Sequence, residues 1–152
     1  MIFSLSHLIN SLAGVLKAKY PEYPVYASAN QQGTRFPCFF LFCMPSETAD
    51  EIGGRMLRDL GVDIVFVQQR NPVNGNLELH QIAEYLDEAM PLFDYSDGNE
   101  KGKLHTFERQ WQIEDGELHY KLRIRPRVSF PVEICFMEEM EGNYGRIRKE
   151  ER

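Results

Sequence analysis

Leu5, Leu8, Ile9, Leu12 and Leu16 recur at the three-and-four spacing of an α-helix, so the chain opens with one apolar stripe on an amphipathic helix. Ser4 stands where its hydroxyl caps the first turn, and Phe3 is placed to staple against Leu8 across that cap. Pro21 and Pro24 end the helix. A short strand is expected over Val25 to Ser28, then a polar turn from Ala29 to Arg35 containing Gly33. Phe36 to Met44 is a nearly unbroken apolar run bracketed by Pro37 and Pro45, the pattern of a strand buried on both faces. Left bare, such a run would promote aggregation, so a covering layer is expected.

Ser46 to Gly54 is polar, acidic and closed by a Gly-Gly pair, which predicts a long, mobile hairpin loop. Arg58 to Gln69 follows as a strand with Leu60, Val62, Ile64 and Phe66 on one face. Asp59 and Asp63 share the other, joined by Val65 and Val67. Asn71-Pro72 and Asn74-Gly75 signal turns. A second amphipathic helix is expected from Leu77 to Met90, capped by Asn76, with Leu79, Ile82, Ala83, Leu86 and Met90 as its buried stripe, and Pro91 ends it. Asp94 to Lys103 reads as a Gly-rich polar connection. Asp115-Gly116 is a preferred two-residue hairpin turn between alternating strands. Placing Glu114 opposite Glu117 pairs Ile113 with Leu118, Trp111 with Tyr120 and Phe107 with Ile124 on one face. The other face then pairs Gln110 with Lys121 and Glu108 with Arg123.

After Pro131, Val132, Ile134 and Phe136 alternate briefly, as an edge strand or arm would. From Glu138 onward charge dominates. The expected fold is α+β: an antiparallel sheet of about four main strands with two helices packed on it. Residues 1–137 form one domain in this reading, and 138–152 a charged tail that is disordered in the isolated protein.

A chain of 152 residues is long enough for a single core, and 10 Phe and 7 Tyr residues supply much of its bulk without a disulfide or metal staple. A net charge of −6 and a pI near 5.2 argue against a general nucleic-acid binder. Of the three cysteines, Cys38 and Cys43 are five apart on one strand and face opposite ways, so neither a shared metal nor a disulfide between them is expected. Reduced, buried thiols in a cytosolic protein are the ordinary reading. The opening helix lacks a basic leader, and His7 and Asn10 interrupt its apolar run. No stretch has the length of a bilayer span, so no membrane partner is expected.

Candidate chemistry is sparse. His7, His80, His105 and His119 have no ligand spacing, and no phosphate loop, nucleophile elbow or zinc-protease signature occurs. Asp59, Asp63, Glu47, Asp50 and Glu51 have the composition of a divalent-metal nuclease cluster, although a solvated strand face and loop is the favoured reading. No catalytic, cofactor-binding or metal-ligating residues are therefore assigned. His119, Lys121, Arg123, Arg125 and Arg127 form a basic row on one side of the last long strand. Two readings stand level: a solvated face paired with Glu108 and Glu114, or an interface matched to an acidic partner or to nearby DNA. The segment from Glu47 to Leu57, with Asp50, Glu51, Arg55 and Arg58 around its glycine hinge, suits a loop that orders on binding.

The order of these segments resembles the tail terminator proteins of phages and prophages of Gram-positive bacteria. The resemblance is carried by KAKYPEYPVYAS, RFPCFFLFCMPS, RDLGVDIVFVQQ, LELHQIAEYLDEAM and WQIEDGELHYKLRIRPRVSF, spanning Leu5 to Phe130. It implies a structural protein without enzymatic activity or cofactor. The implied assembly is a homo-oligomeric ring, commonly a hexamer, that caps the tail tube, stops its polymerisation and docks the head-completion protein. Partners would then be further copies of itself, the tail tube protein and a head connector, with DNA passing nearby, first in the host cytoplasm and then in the virion tail. The resemblance also implies that the Glu47–Leu57 segment is mobile in the free monomer and ordered in the ring. A different neck or head–tail connector protein is the alternative within the same architecture.

Overall fold

The computed structural model describes residues 3–28, 33–72 and 75–129. Helix α1 covers Leu5–Lys19, and Ser4 caps it from an extended conformation, its Oγ accepting the His7 backbone N–H at 3.2 Å. Leu8, Leu12 and Leu16 are fully buried, whereas Leu5 lies at the rim. Phe3 stacks on Tyr95 with ring centroids 5.5 Å apart. Helix α2 covers Gly75–Ala89 and buries Leu79, Ile82, Ala83 and Leu86. It begins before Asn76, which therefore sits inside the first turn rather than capping it. The Gln68 side chain ties this start to the sheet by donating to the Gly75 carbonyl at 2.6 Å.

The strands are β1 (Val25–Tyr26), β2 (Cys38–Cys43), β3 (Glu47–Glu51), β4 (Arg55–Val67), β5 (Leu92–Ser96), β6 (Lys101–His105), β7 (Phe107–Glu114), β8 (Glu117–Ile124) and β9 (Arg127–Ser129). Seven of them make one sheet in the order β1-β2-β4-β8-β7, with β3 and β9 flanking the start of β4. The α+β expectation holds, but the sheet is larger than four strands. It is also mixed, because β1 runs parallel to β2. The segment expected as a polar connection forms a second sheet, the hairpin β5–β6. Its apolar residues alternate, so Phe93 and Tyr95 reach the core from inside an otherwise polar stretch.

The acidic segment read as a mobile loop is a β-hairpin. β3 pairs antiparallel with β4 from Glu47↔Asp59 to Glu51↔Arg55, and β9 closes the other side with Arg55↔Ser129 to Leu57↔Arg127. The result is a three-stranded arm continuous with the body through the 13-residue β4. Pro45 and Pro126 mark its root on either side of β4. Each lacks an N–H, so each interrupts a flanking strand. The gaps are bridged by Met44 N–H donating to the Gly61 carbonyl at 2.8 Å and Arg58 N–H donating to the Pro126 carbonyl at 3.0 Å.

One sheet face carries the core. Phe39 and Leu41 from β2, Leu60, Val62, Ile64 and Phe66 from β4, and Leu118, Tyr120, Leu122 and Ile124 from β8 pack against the buried stripes of both helices. Each fully buried aliphatic or aromatic side chain contributes roughly 1.5–3 kcal/mol of transfer free energy. Polar groups in this layer are satisfied. Tyr120 donates its hydroxyl to Asp87 Oδ1 at 2.8 Å, and burial with that bond raises the phenol well above its ordinary pKa. Thr106 donates to the Met90 carbonyl at 2.7 Å.

The β7–β8 register matches expectation for Glu114↔Glu117, Ile113↔Leu118, Trp111↔Tyr120 and Gln110↔Lys121. Beyond Gln110 a bulge inserts one residue, with Glu108 at φ +52°, so Phe107 meets Arg123 instead of Ile124 and Glu108 has no register partner. The reading of β2 as buried on both faces holds only at its start. Cys38 and Phe39 are inaccessible, but Phe42 and Cys43 are exposed, because both helices lie on the same side of the sheet. The expected arm after Pro131, Cys135 and the tail from Glu138 lie outside the described residues.

Candidate functional site

The second face of the sheet has no described helix on it. Cross-strand registers align its side chains in rows: Phe40, Val65, His119 and Gln112; then Phe42, Asp63, Lys121 and Gln110; then Met44, Gly61 and Arg123 nearest the arm. β8 shows the division most plainly, since its even positions are buried and its odd positions are partly open. Gly61 is buried between Met44 and Arg123, where an added Cβ would stand 3.1 Å from Met44 Cβ and 3.2 Å from Arg123 Nη1. The glycine therefore lets the long side chains of the neighbouring strands close over β4.

The basic row is present but mostly neutralised, and largely by carboxylates that the sequence reading did not pair with it. His119 Nδ1 lies 3.1 Å from Asp63 Oδ2, and its Nε2 lies 3.6 Å from Glu117. Arg123 Nε donates to Asp59 Oδ1 at 2.8 Å. Arg125 spans Asp59 at 3.5 Å and Glu108 at 3.1 Å, with its guanidinium 5.5 Å from the Phe107 ring centroid. Arg127 reaches Glu51 at 3.3 Å, linking β9 to β3 across the arm. Lys121 alone of the row has no carboxylate partner among the described residues. Of the two acids expected to neutralise the row, Glu108 does so, whereas Glu114 accepts from Gln112. Asp59 and Asp63 are engaged as ion-pair partners, and among the described residues no three His, Cys, Asp or Glu side chains converge as a metal site.

On the arm, Glu47, Asp50 and Arg55 are exposed, and Arg58 lies beneath, its guanidinium 5.4 Å from the Phe3 ring centroid. Glu47 and Asp50 have no cationic partner among the described residues. The arm ends in the turn Ile52-Gly53-Gly54, whose glycines take φ +86° and +73°, conformations that side chains disfavour. Ile52 is 101% exposed there.

Two features of this surface went unread in the sequence. One is Ile52. The other is an aromatic ladder at the β1–β2 edge: Tyr26 and Phe40 have centroids 5.6 Å apart, and Phe40 and Phe42 stack at 5.7 Å with planes within 8°. The alternation within CFFLFC held the signal, since Phe39 and Leu41 take one face and Phe40 and Phe42 the other. β1 covers the outer edge of β2 only opposite Phe39 and Phe40, so Leu41–Cys43 has no strand beside it there among the described residues. A cleft of about 400 Å³ lies on the same face at the β7 bulge, lined by Met44, Glu108, Gln110, Lys121 and Arg123 among others.

Fold and surface together define a small α+β domain in which one sheet face, with no described helix on it, carries paired charges and aromatic rings and is extended by a three-stranded arm. The chain belongs to the family of phage tail terminator proteins, whose family model matches residues 7–133. That family is structural, with a role in tail assembly. No individual curated protein matches the chain. Among the described residues, no helix is long and apolar enough to cross a membrane.

Proposed function

We propose that the protein assembles into a homo-oligomeric ring, six subunits in the expected case, on the head-proximal end of the tail tube. There it stops tube polymerisation and offers a docking surface to the head-completion protein, acting in the host cytoplasm before it becomes part of the virion tail. Besides family membership, the arm is the observation that carries this reading. A β-ribbon that leaves the body with its own three-stranded ladder suits a subunit that grips a neighbour better than it suits an isolated monomer.

The interface in this proposal comprises the arm residues Glu47, Asp50, Glu51, Arg55 and Arg58 and the sheet residues His119, Lys121, Arg123, Arg125 and Arg127. Their ion pairs are half-exposed, so each contributes little to the monomer, while their alternating signs fix register against a partner. The function is then shape and charge complementarity, with no bond made or broken.

Tail-tube length is the test. Cells producing the phage without this protein should yield overlong, uncapped tubes, and normal-length tails lacking heads would instead assign it to a head-side connector.

A further inference from the structure

Ile52 and the aromatic ladder are two exposed apolar features at opposite ends of one strand. The ladder sits beside Asp63 and Val65 of β4, while the arm turn lies beyond Arg55. Eight residues of β4 separate those levels, about 26 Å at 3.3 Å per residue. β4 runs unbroken from the arm into the body with a strand on each edge, which holds Ile52 at the far end of β4 from the ladder of its own chain. A knob and an aromatic surface that cannot meet within one molecule can meet between two, and in the ring reading the contact runs head-to-tail from one subunit to the next. Contacts of that kind generate rings when their rotation closes.

Single exposed apolar residues are ordinary on protein surfaces. Ile52 differs because two left-handed glycines hold it at the end of a ribbon, clear of all apolar company. Charge favours the same occupant. Near the arm turn, two residues from Ile52, stands Asp50, an acid without a cation among the described residues. Lys121, alone of the basic row without an acid among the described residues, lies in the same row as Phe42, two strands away, about 10 Å. From these placements we infer that Ile52 at the arm turn seats on the Tyr26–Phe40–Phe42 ladder of a second copy of this chain, with Asp50 of the arm towards that copy's Lys121. This deepens the ring reading, on which it rests, by naming which surfaces of neighbouring subunits meet.

Cys43, although next to Phe42 along β2, points to the other face of the sheet with Phe39 and Leu41, so the reporter thiol is placed on the ladder face. With Cys43→Ser and Cys135→Ser as background, Ile52→Cys combined with Phe42→Cys should form an interchain disulfide under mild oxidation, giving a ladder of covalent multimers that stops at the ring. Omitting Phe42→Cys should abolish it. In parallel, Ile52→Asp should keep the monomer folded by circular dichroism and weaken association by roughly 10- to 100-fold, the equivalent of one buried aliphatic side chain. An oligomer that assembles normally with Ile52→Asp and gives no interchain disulfide would overturn this contact while leaving the ring intact. An intrachain disulfide would overturn it too, by showing the two ends within reach in one molecule. If the wild-type protein formed no oligomer, either alone or on purified tail tubes, the ring reading would fall and this contact with it.

Discussion

The two faces of the β4 sheet are built from the same strands, yet they obey different rules. On the helix side, consecutive inward positions are aliphatic or aromatic and inaccessible, and the few polar groups are bonded within the molecule. On the open side, the same strands place Asp59, Asp63, His119 and Arg123, paired across strands, beside Lys121 and the rings of Phe40 and Phe42, all partly exposed or at the surface. The first face holds the chain together; the second offers alternating charges and rings that gain little from the monomer. Rings left partly exposed among ion pairs that add little stability are what the proposed contact between copies would use.

That contrast can be tested by perturbing each side in turn. Leu12→Ala on the helix side should lose about 2–5 kcal/mol of unfolding free energy in urea, the range for a fully buried leucine. A loss below about 1 kcal/mol would mean that α1 is not integral to the core.

A smaller effect concerns the two described thiols of β2. Burial, with a lesser contribution from Glu117, pushes the Cys38 thiol up from 9.0 to about 11. The unfolded chain therefore releases this proton at lower pH than the folded chain does. The stabilisation is complete below about pH 9 and is lost as pH rises from 9 towards 11. Cys38→Ala should flatten that alkaline decline. Cys43, exposed on the same strand, should be alkylated promptly at neutral pH while Cys38 waits for unfolding. Equal labelling rates would mean that β2 opens easily.

The smallest stability change belongs to the open side. Asp59→Asn weakens the pairing of two arginines at the arm root, yet should cost below about 1 kcal/mol because the group is partly exposed. If assembly is lost while monomer stability barely changes, the division between the faces stands. A loss as large as that of Leu12→Ala would place the ion pairs in the folding machinery.

Much of the helix side was legible in the sequence because burial imposes a period. Leu8, Leu12 and Leu16 at helical spacing, and Leu60, Val62, Ile64 and Phe66 at strand spacing, each predict their face directly. The hairpin turn at Asp115-Gly116 gave its register for the same reason, until the bulge at Glu108 broke the count. What was not legible depended on tertiary placement. The run CFFLFC looks buried throughout because composition does not say that both helices would choose one side. The segment Glu47–Glu51 looks like a loop because all its residues but one are polar or charged, and it is a strand only by pairing with β4. The basic row was visible, but its neutralisation was not, since Asp59 and Asp63 come from a strand more than fifty residues earlier.

The unbroken run of β4 has a mechanical consequence. On one side it is bonded first to β3 and then to β2, and on the other first to β9 and then to β8, with backbone bonds from Met44 and Arg58 closing the seams. A pull applied at the arm along β4 travels down a single strand clamped on both edges. The load falls on many hydrogen bonds together, in shear, so they cannot be unzipped one at a time. Tension at the arm tip is thereby shared with the strands on both edges of β4 all the way to the centre of the domain, so that the arm and the body resist a pull as one unit.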